Sequence, residues 1–212
     1  MLQFRMETAF YVWRDMNDKC QCILETALTL FRAHGYHAVG IDRVIAESGV
    51  AKMTMYRYFP SKNALIAAVL NERDQSFRDA LIEFVNKVDD PLEKLRALFL
   101  WHHHWFKESS FNGCMFINAV AEFPKINNSI RQASIRHKVL VQNFIESILN
   151  LVLTAELARQ LAAQFAQLLD GAIIAAQVAG DPMAAFVAWR SAVGLLLLEG
   201  VLIELGNSFE PA

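Results

Sequence analysis

Apolar residues recur along most of this chain at helical spacing, and no convincing strand alternation interrupts them. Ile23, Ala27, Leu30 and Phe31 make one stripe, with Leu24 and Leu28 beside it, predicting a first helix over residues 17–34. Gly35 follows, where a left-handed cap is usual. A short helix is predicted over 41–48, Gly49 breaks it, and another spans 52–58. Pro60 stops that one, and Ser61 opens a longer helix to about residue 87. Asp89-Asp90-Pro91 opens the next, which carries Trp101 to Phe106, and Asn112-Gly113 is a clear break. A short helix over 114–123 ends at Pro124, and a long one covers 129–153. Thr154 is placed to cap a helix running to 179, and Gly180-Asp181-Pro182 separates it from a last helix over 183–205. The pattern is that of an all-α chain of nine or ten helices.

A length of 212 residues suits one domain, or a small domain joined to a larger one. Hydrophobic residues make up 54%, above the ~45–50% of average soluble domains, so the surplus needs a subunit interface, a ligand cavity or a membrane. The most apolar run, 192–205, is broken by Glu199 and Glu204 and falls short of the roughly 20 residues a membrane span requires. A helix buried in a bundle or between subunits fits it better. Residues 1–13 include Arg5 and Glu7 and lack the sustained apolar region of a secretory signal. Three cysteines, an odd number, suit a reducing compartment, so the expected location is the cytoplasm. The first 15 residues leave two accounts open: an extra helix, or a true start at Met16.

Charge adds a weak direction. The net charge is −2, but residues 1–63 carry 8 Lys/Arg against 6 Asp/Glu, whereas the remainder carries 12 against 16. The sign suits nucleic-acid contact at the N-terminal end.

The informative stretch is 35–62: two short helices joined by a tight turn at Gly49, with Val44, Val50, Met55 and Phe59 as a small core. This is the layout of a helix-turn-helix, whose second helix lies in the major groove. That helix presents Lys52, Thr54, Tyr56, Arg57 and Tyr58, whose hydroxyls and cations suit phosphate contact. With Phe31, Gly35-Tyr36, Gly49-Val50, Thr54-x-Tyr56-x-Tyr58-Phe59, Ser61-Lys62 and Leu65, the segment resembles the N-terminal domain of the TetR/AcrR family of transcriptional regulators.

The resemblance implies an N-terminal three-helix DNA-binding domain within residues 1–62. A larger helical domain for effector binding and dimerisation would follow over 63–212. It implies that Lys52, Met53 and Thr54 lie nearest the base edges. Tyr56, Tyr58 and Lys62 would meet phosphates, and Arg43 a base or a phosphate. Three residues depart from the family pattern: Gly40 stands where Ser or Thr is preferred, Ile45 replaces a usual Ala, and Met53 a common Gly. Gly40 removes a helix cap and a phosphate contact.

The implied partners are double-stranded operator DNA, a second copy of the chain and a small lipophilic effector. The implied mechanism is a ligand-released repressor, with recognition helices roughly 34–36 Å apart on a near-palindromic site. Pocket candidates are Trp101, Trp105, Phe106, Met115, Phe116, Asn118, Phe123 and Gln177. Candidates for the subunit interface are the stripes Leu157, Leu161, Phe165 and Leu168 on one helix and Phe186, Trp189, Val193 and Leu196 on the next, forming a four-helix bundle with their copies. Burial within one subunit is the competing account of those stripes. Gly194 and Gly200 would permit close backbone approach.

No cofactor or metal is implied. His102-His103-His104 point roughly 100° apart on a helix, unlike metal-ligating pairs at i,i+4. Cys20 and Cys22 face apart, and Cys114 is either a buried thiol or, at a helix start, a reactive one. No phosphate loop, G-x-S-x-G or H-E-x-x-H occurs, and Glu122 and Asp170 are isolated carboxylates, so an enzyme is not expected. The alternative is a helical ligand-binding dimer that has lost specific DNA binding.

Overall fold

The computed structural model describes residues 2–125 and 128–202, with side chains from residue 18 onward. Nine helices are present among the described residues: α1 (Leu2–His34), α2 (Ile41–Ser48), α3 (Lys52–Tyr58), α4 (Lys62–Val85), α5 (Pro91–Phe106), α6 (Met115–Glu122), α7 (Ser129–Leu149), α8 (Ala155–Ala179) and α9 (Ala184–Leu198). The chain divides into two compact units, Met1–Asp74 with Met115–Ser134, and Gln75–Cys114 with Ile135–Ala212.

Local chemistry accounts for most helix ends. The Asp90 carboxylate accepts from the N–H groups of Leu92 and Glu93 at 2.9 and 3.0 Å, capping α5 ahead of Pro91. Ser61 Oγ accepts from Ala64 N at 3.1 Å at the start of α4. Thr154 has the extended backbone of an N-cap, but its side chain makes no capping bond. Three boundaries differ from expectation. First, α1 begins at Leu2, because no Gly or Pro interrupts the stretch before residue 17. Second, α7 stops at Leu149, and the next residues tighten into i→i−3 bonds from Leu151 N to Ile148 O and Val152 N to Leu149 O. Third, α9 stops at Leu198, where Val201 N bonds Leu196 O at 3.0 Å and Gly200 N bonds Leu197 O at 3.1 Å. That pair is a Schellman stop, and Gly200 supplies its left-handed residue with φ 79°. Gly200 therefore ends the helix rather than easing its packing. Residues 203–205 of the expected last helix lie outside the described residues.

In the first unit, Ile23, Ala27 and Phe31 of α1 pack with Val39, Val44, Met55, Phe59 and Leu65, all buried. In the second unit the core is aromatic: the Phe99 ring lies 5.9 Å from Phe165 and 5.4 Å from Trp189, joining α5, α8 and α9. Each such side chain contributes roughly 2–3 kcal/mol when fully buried. By length and apolarity α8 is long enough to cross a membrane, yet its apolar residues include a buried face of Leu161, Phe165, Leu169 and Ile173. A core helix passes the same test.

Candidate nucleic-acid interface

The α2–α3 pair is built on the α1 stripe. Val44 and Met55 are 1% and 0% exposed, and Phe59, just past α3, is also buried. Gly49 joins the helices with φ 67°, its N–H bonded to Ile45 O, a backbone that a side chain would strain. Val50 is half-buried, and Ala46 faces outward. Burying Met55 turns the rest of α3 outward: Met53 is 85% and Tyr56 42% exposed, Lys52 and Arg57 are exposed, and Thr54 and Tyr58 half-buried. A seven-residue helix thus displays two cations, two phenols, a hydroxyl and a thioether on one side of a small core.

The cations differ in state. Arg57 has no acidic partner among the described residues, and its guanidinium lies 5.2 Å from the Tyr58 ring centre. Arg43 Nε donates to Glu47 at 2.7 Å, and its Nη2 lies 3.2 Å from His34 Nε2. Lys52 donates to Asp42 at 3.2 Å. Both pairs are solvent-exposed and worth at most about 1 kcal/mol, so a phosphate can displace the carboxylates. Lys62 is half-buried and donates to His37 O at 3.2 Å; desolvation lowers its pKa and the Glu122 carboxylate opposes that. Gly40 is the N-cap of α2 and provides no side-chain bond.

Glu122 completes this unit, and sequence reading left it without a role. Its carboxylate accepts from the backbone N–H groups of Tyr36 (2.9 Å) and His37 (2.6 Å), at the turn between α1 and α2. His37 Nε2 donates to Glu122 O at 2.9 Å, and the Tyr36 hydroxyl donates to Met115 O at 2.9 Å. The Phe123 ring lies 4.6 Å from His37 and 6.1 Å from Tyr36. Both ends of α6 are thereby fastened to the turn that precedes the recognition motif. One carboxylate at the end of an otherwise apolar helix was the available signal.

Of the eight pocket candidates, Met115, Phe116, Asn118 and Phe123 belong to the first unit, and Trp101, Trp105, Phe106 and Gln177 to the second. Gln177 donates to Asn112 O at 3.3 Å and lies over Gly113, fastening that turn. Trp101 and Trp105 pack on Phe77, at 4.8 and 5.4 Å. A cavity of about 180 Å³ within the second unit is lined by Phe77, His102, His137, Lys138, Gln142, Gln167, Asp170 and neighbouring apolar residues, none of them among the eight.

The three histidines diverge. His102 is buried beside that cavity, His103 Nδ1 donates to Pro182 O at 2.9 Å, and His104 lies edge-on to Phe84. Burial, together with the Glu72 charge, pushes the Cys20 thiol up; Cys22 Sγ lies 3.5 Å from Ser48 O, and Cys114 is 4% exposed.

Of the interface candidates, Leu161, Phe165, Trp189, Val193 and Leu196 are at most 4% exposed in the single chain, as the competing account of burial within one subunit expects. Leu157, Leu168 and Phe186 are half-buried. The outward face of α8 carries Gly171, Ile174, Ala175 and Val178, and that of α9 carries Val187, Ser191, Gly194 and Leu198. Between the two helices lies a groove of about 420 Å³ lined by Gly171, Ala175, Ala184 and Val187. The bulky rings turned inward, and small and branched residues stayed outside.

Comparison with known proteins agrees with this geometry. Residues 23–69 match the family described as bacterial regulatory proteins, tetR family, and residues 91–192 match the tetracyclin repressor-like C-terminal domain. The chain is 28% identical over 141 residues to the uncharacterized HTH-type transcriptional regulator YuxN of Bacillus subtilis, covering 64% of this chain and 46% of that protein. It is 32% identical over 81 residues to the HTH-type transcriptional regulator LmrA of the same organism, covering 38% of this chain and 43% of LmrA. The alignments thus span about half the length of these relatives. The crystal structure of SCO4454, a TetR-family transcriptional regulator from Streptomyces coelicolor, superposes with a TM-score of 0.75 at 28% identity, over 84% of this chain and 88% of that one. An N-terminal helix-turn-helix with an exposed polar recognition helix, followed by a matching helical domain, places this chain in the TetR family of helix-turn-helix transcriptional regulators.

Proposed function

We propose that the chain acts in the cytoplasm as a homodimeric, ligand-released repressor that binds a near-palindromic operator. The observation that carries this reading is the outward display of Lys52, Met53, Thr54, Tyr56 and Arg57 above the buried Val44–Met55–Phe59 core. Lys52, Met53 and Thr54 reach base edges, and Met53 supplies the apolar contact a thymine methyl prefers. Tyr56, Arg57 and Tyr58 hold phosphates, and Arg43 and Lys62 join them once they exchange their present partners. The outward face of α8 and α9 is the subunit contact, and the 180 Å³ cavity is the effector site. Ligand binding selects a subunit spacing that no longer matches the operator, a coupling of about 1–3 kcal/mol.

The test is selection of bound fragments from the source genome, then titration of the enriched site at several salt concentrations with wild type and Arg57→Ala. A near-palindromic site bound at ~10⁻⁸ M or tighter supports the reading. The variant should bind more weakly with a salt slope reduced by about one. Absence of any enriched sequence would instead favour a ligand-binding dimer without specific DNA recognition.

A further inference from the structure

The cavity of the second unit has walls of defined chemistry. His102, 2% exposed, donates from Nδ1 to Leu98 O at 2.8 Å, one turn back on α5. A carbonyl oxygen only accepts, so the proton sits on Nδ1 and Nε2 keeps its lone pair. Nε2 lies on the opposite edge of the ring and has no partner among the described residues. Burial holds the ring neutral, with its pKa lowered to about 4. No side-chain nitrogen or oxygen is both sealed from solvent and unpartnered among the described residues, so this Nε2 keeps some accessible surface and can be reached by a donor.

The charges of the cavity cancel. Lys138 on α7 donates to Asp170 on α8. A carboxylate ligand would meet Asp170 and the His102 lone pair, and an ammonium ligand would meet Lys138. Phe77, in T-shaped contact with His137 at 5.2 Å, and Val141, Leu169 and Ile173 add apolar surface, and Gln142 and Gln167 add neutral amides. The volume of about 180 Å³ compares with the ~150 Å³ at which an apolar protein cavity admits benzene.

We infer that this cavity takes a small neutral ring compound carrying one hydroxyl or N–H donor, of phenol size, with the donor bonded to His102 Nε2 and the ring against Phe77. This rests on the reading of the cavity as the effector site, and it replaces a purely lipophilic ligand by one with a single polar handle.

The experiment is calorimetric titration of the full chain with four probes: phenol, fluorobenzene (the same ring without a donor), benzoate and benzylammonium. Phenol should bind about tenfold tighter than fluorobenzene, the worth of one buried hydrogen bond, and neither ion should compete with it. His102→Phe should bring phenol down to the level of fluorobenzene. Ala166→Leu, which fills the cavity, should abolish both. The comparison of probes on the wild-type chain holds even where His102→Phe fails to fold. Equal binding of phenol and fluorobenzene, or preference for either ion, overturns the ligand class; continued sensitivity to Ala166→Leu would then leave the cavity reading standing. Binding indifferent to Ala166→Leu, or no binding of any probe, overturns the cavity reading itself. Release of operator DNA, measured separately with phenol, reports on regulation alone.

Discussion

The recognition motif and the α8–α9 pair are both helical and both rich in apolar residues, yet their orientations are encoded differently. In α3, seven residues contain one buried anchor, Met55, and, apart from the exposed Met53, polar groups on the other sides, so one orientation suits the chain best. In α9 almost every position is apolar, and several rotations about the helix axis would bury comparable area. What separates them is size. Trp189 and Phe165 fill an interior next to Phe99, while Val187 and Val178 stand 64% and 83% exposed. Binary patterning orients a helix with a polar side; shape complementarity orients one without.

The largest expected effects fall on the two faces of α9. Trp189→Ala should destabilise folding by about 3–5 kcal/mol in urea titration, because it removes a ring from a packed core. Val187→Glu should leave that stability near wild type and shift the chain toward monomer in sedimentation at micromolar concentration. Loss of stability in the second variant without dissociation would show that the outward face is not a subunit contact.

The next effect separates the two units by pH. The folded pKa of His102 lies near 4, below the ordinary 6.5 of the unfolded chain. Between those values the unfolded state binds a proton that the folded state refuses. Stability should therefore fall as pH drops from 6.5 toward 4, by about 3 kcal/mol. Denaturant titration across that window should show the slope in wild type and its loss in His102→Phe. A slope that persists in the variant would assign the sensitivity elsewhere.

A smaller effect tests the clasp in the first unit. Glu122→Ala removes the acceptor of two backbone N–H groups at a partly exposed site and should cost about 1–2 kcal/mol, read as a lower thermal midpoint. Gly40→Ser should raise stability by a few tenths of a kcal/mol to about 1: nothing lies within 4 Å of an added Cβ, and the backbone at φ −80°, ψ 155° suits an N-cap serine. Smallest of all, Glu47→Gln frees Arg43 from an exposed ion pair and should tighten operator binding two- to fivefold at low salt. No change would mean that Arg43 already leaves Glu47 without penalty on binding DNA.

The helices and their breaks were legible because Gly, Pro and capping residues punctuate the chain at definite places. The motif was legible because Gly49, Met55 and Phe59 each answer a local requirement. The cavity was not. Its groups come from α4, α5, α7 and α8, spread across residues 77 to 173, and no local pattern links His102 to Lys138 or Asp170. Glu122 and Asp170 looked equally isolated in sequence, and each acquired its role from a partner at a distance: the turn at Tyr36-His37 for one, Lys138 for the other. The aromatic candidates Trp101, Trp105, Phe106 and Phe116 carry no such local signal either, since a ring on an apolar helix is as useful in a core as beside a ligand.

Residue order alone thus decided that the chain is all-helical, where its helices break, and that its N-terminal portion carries a recognition helix, because periodicity and turn chemistry act over a few residues. Tertiary packing decided which stripes of α8 and α9 turn inward, which histidine faces the cavity and which carboxylate holds the recognition motif, because those outcomes depend on side-chain shape and on partners far apart in the chain.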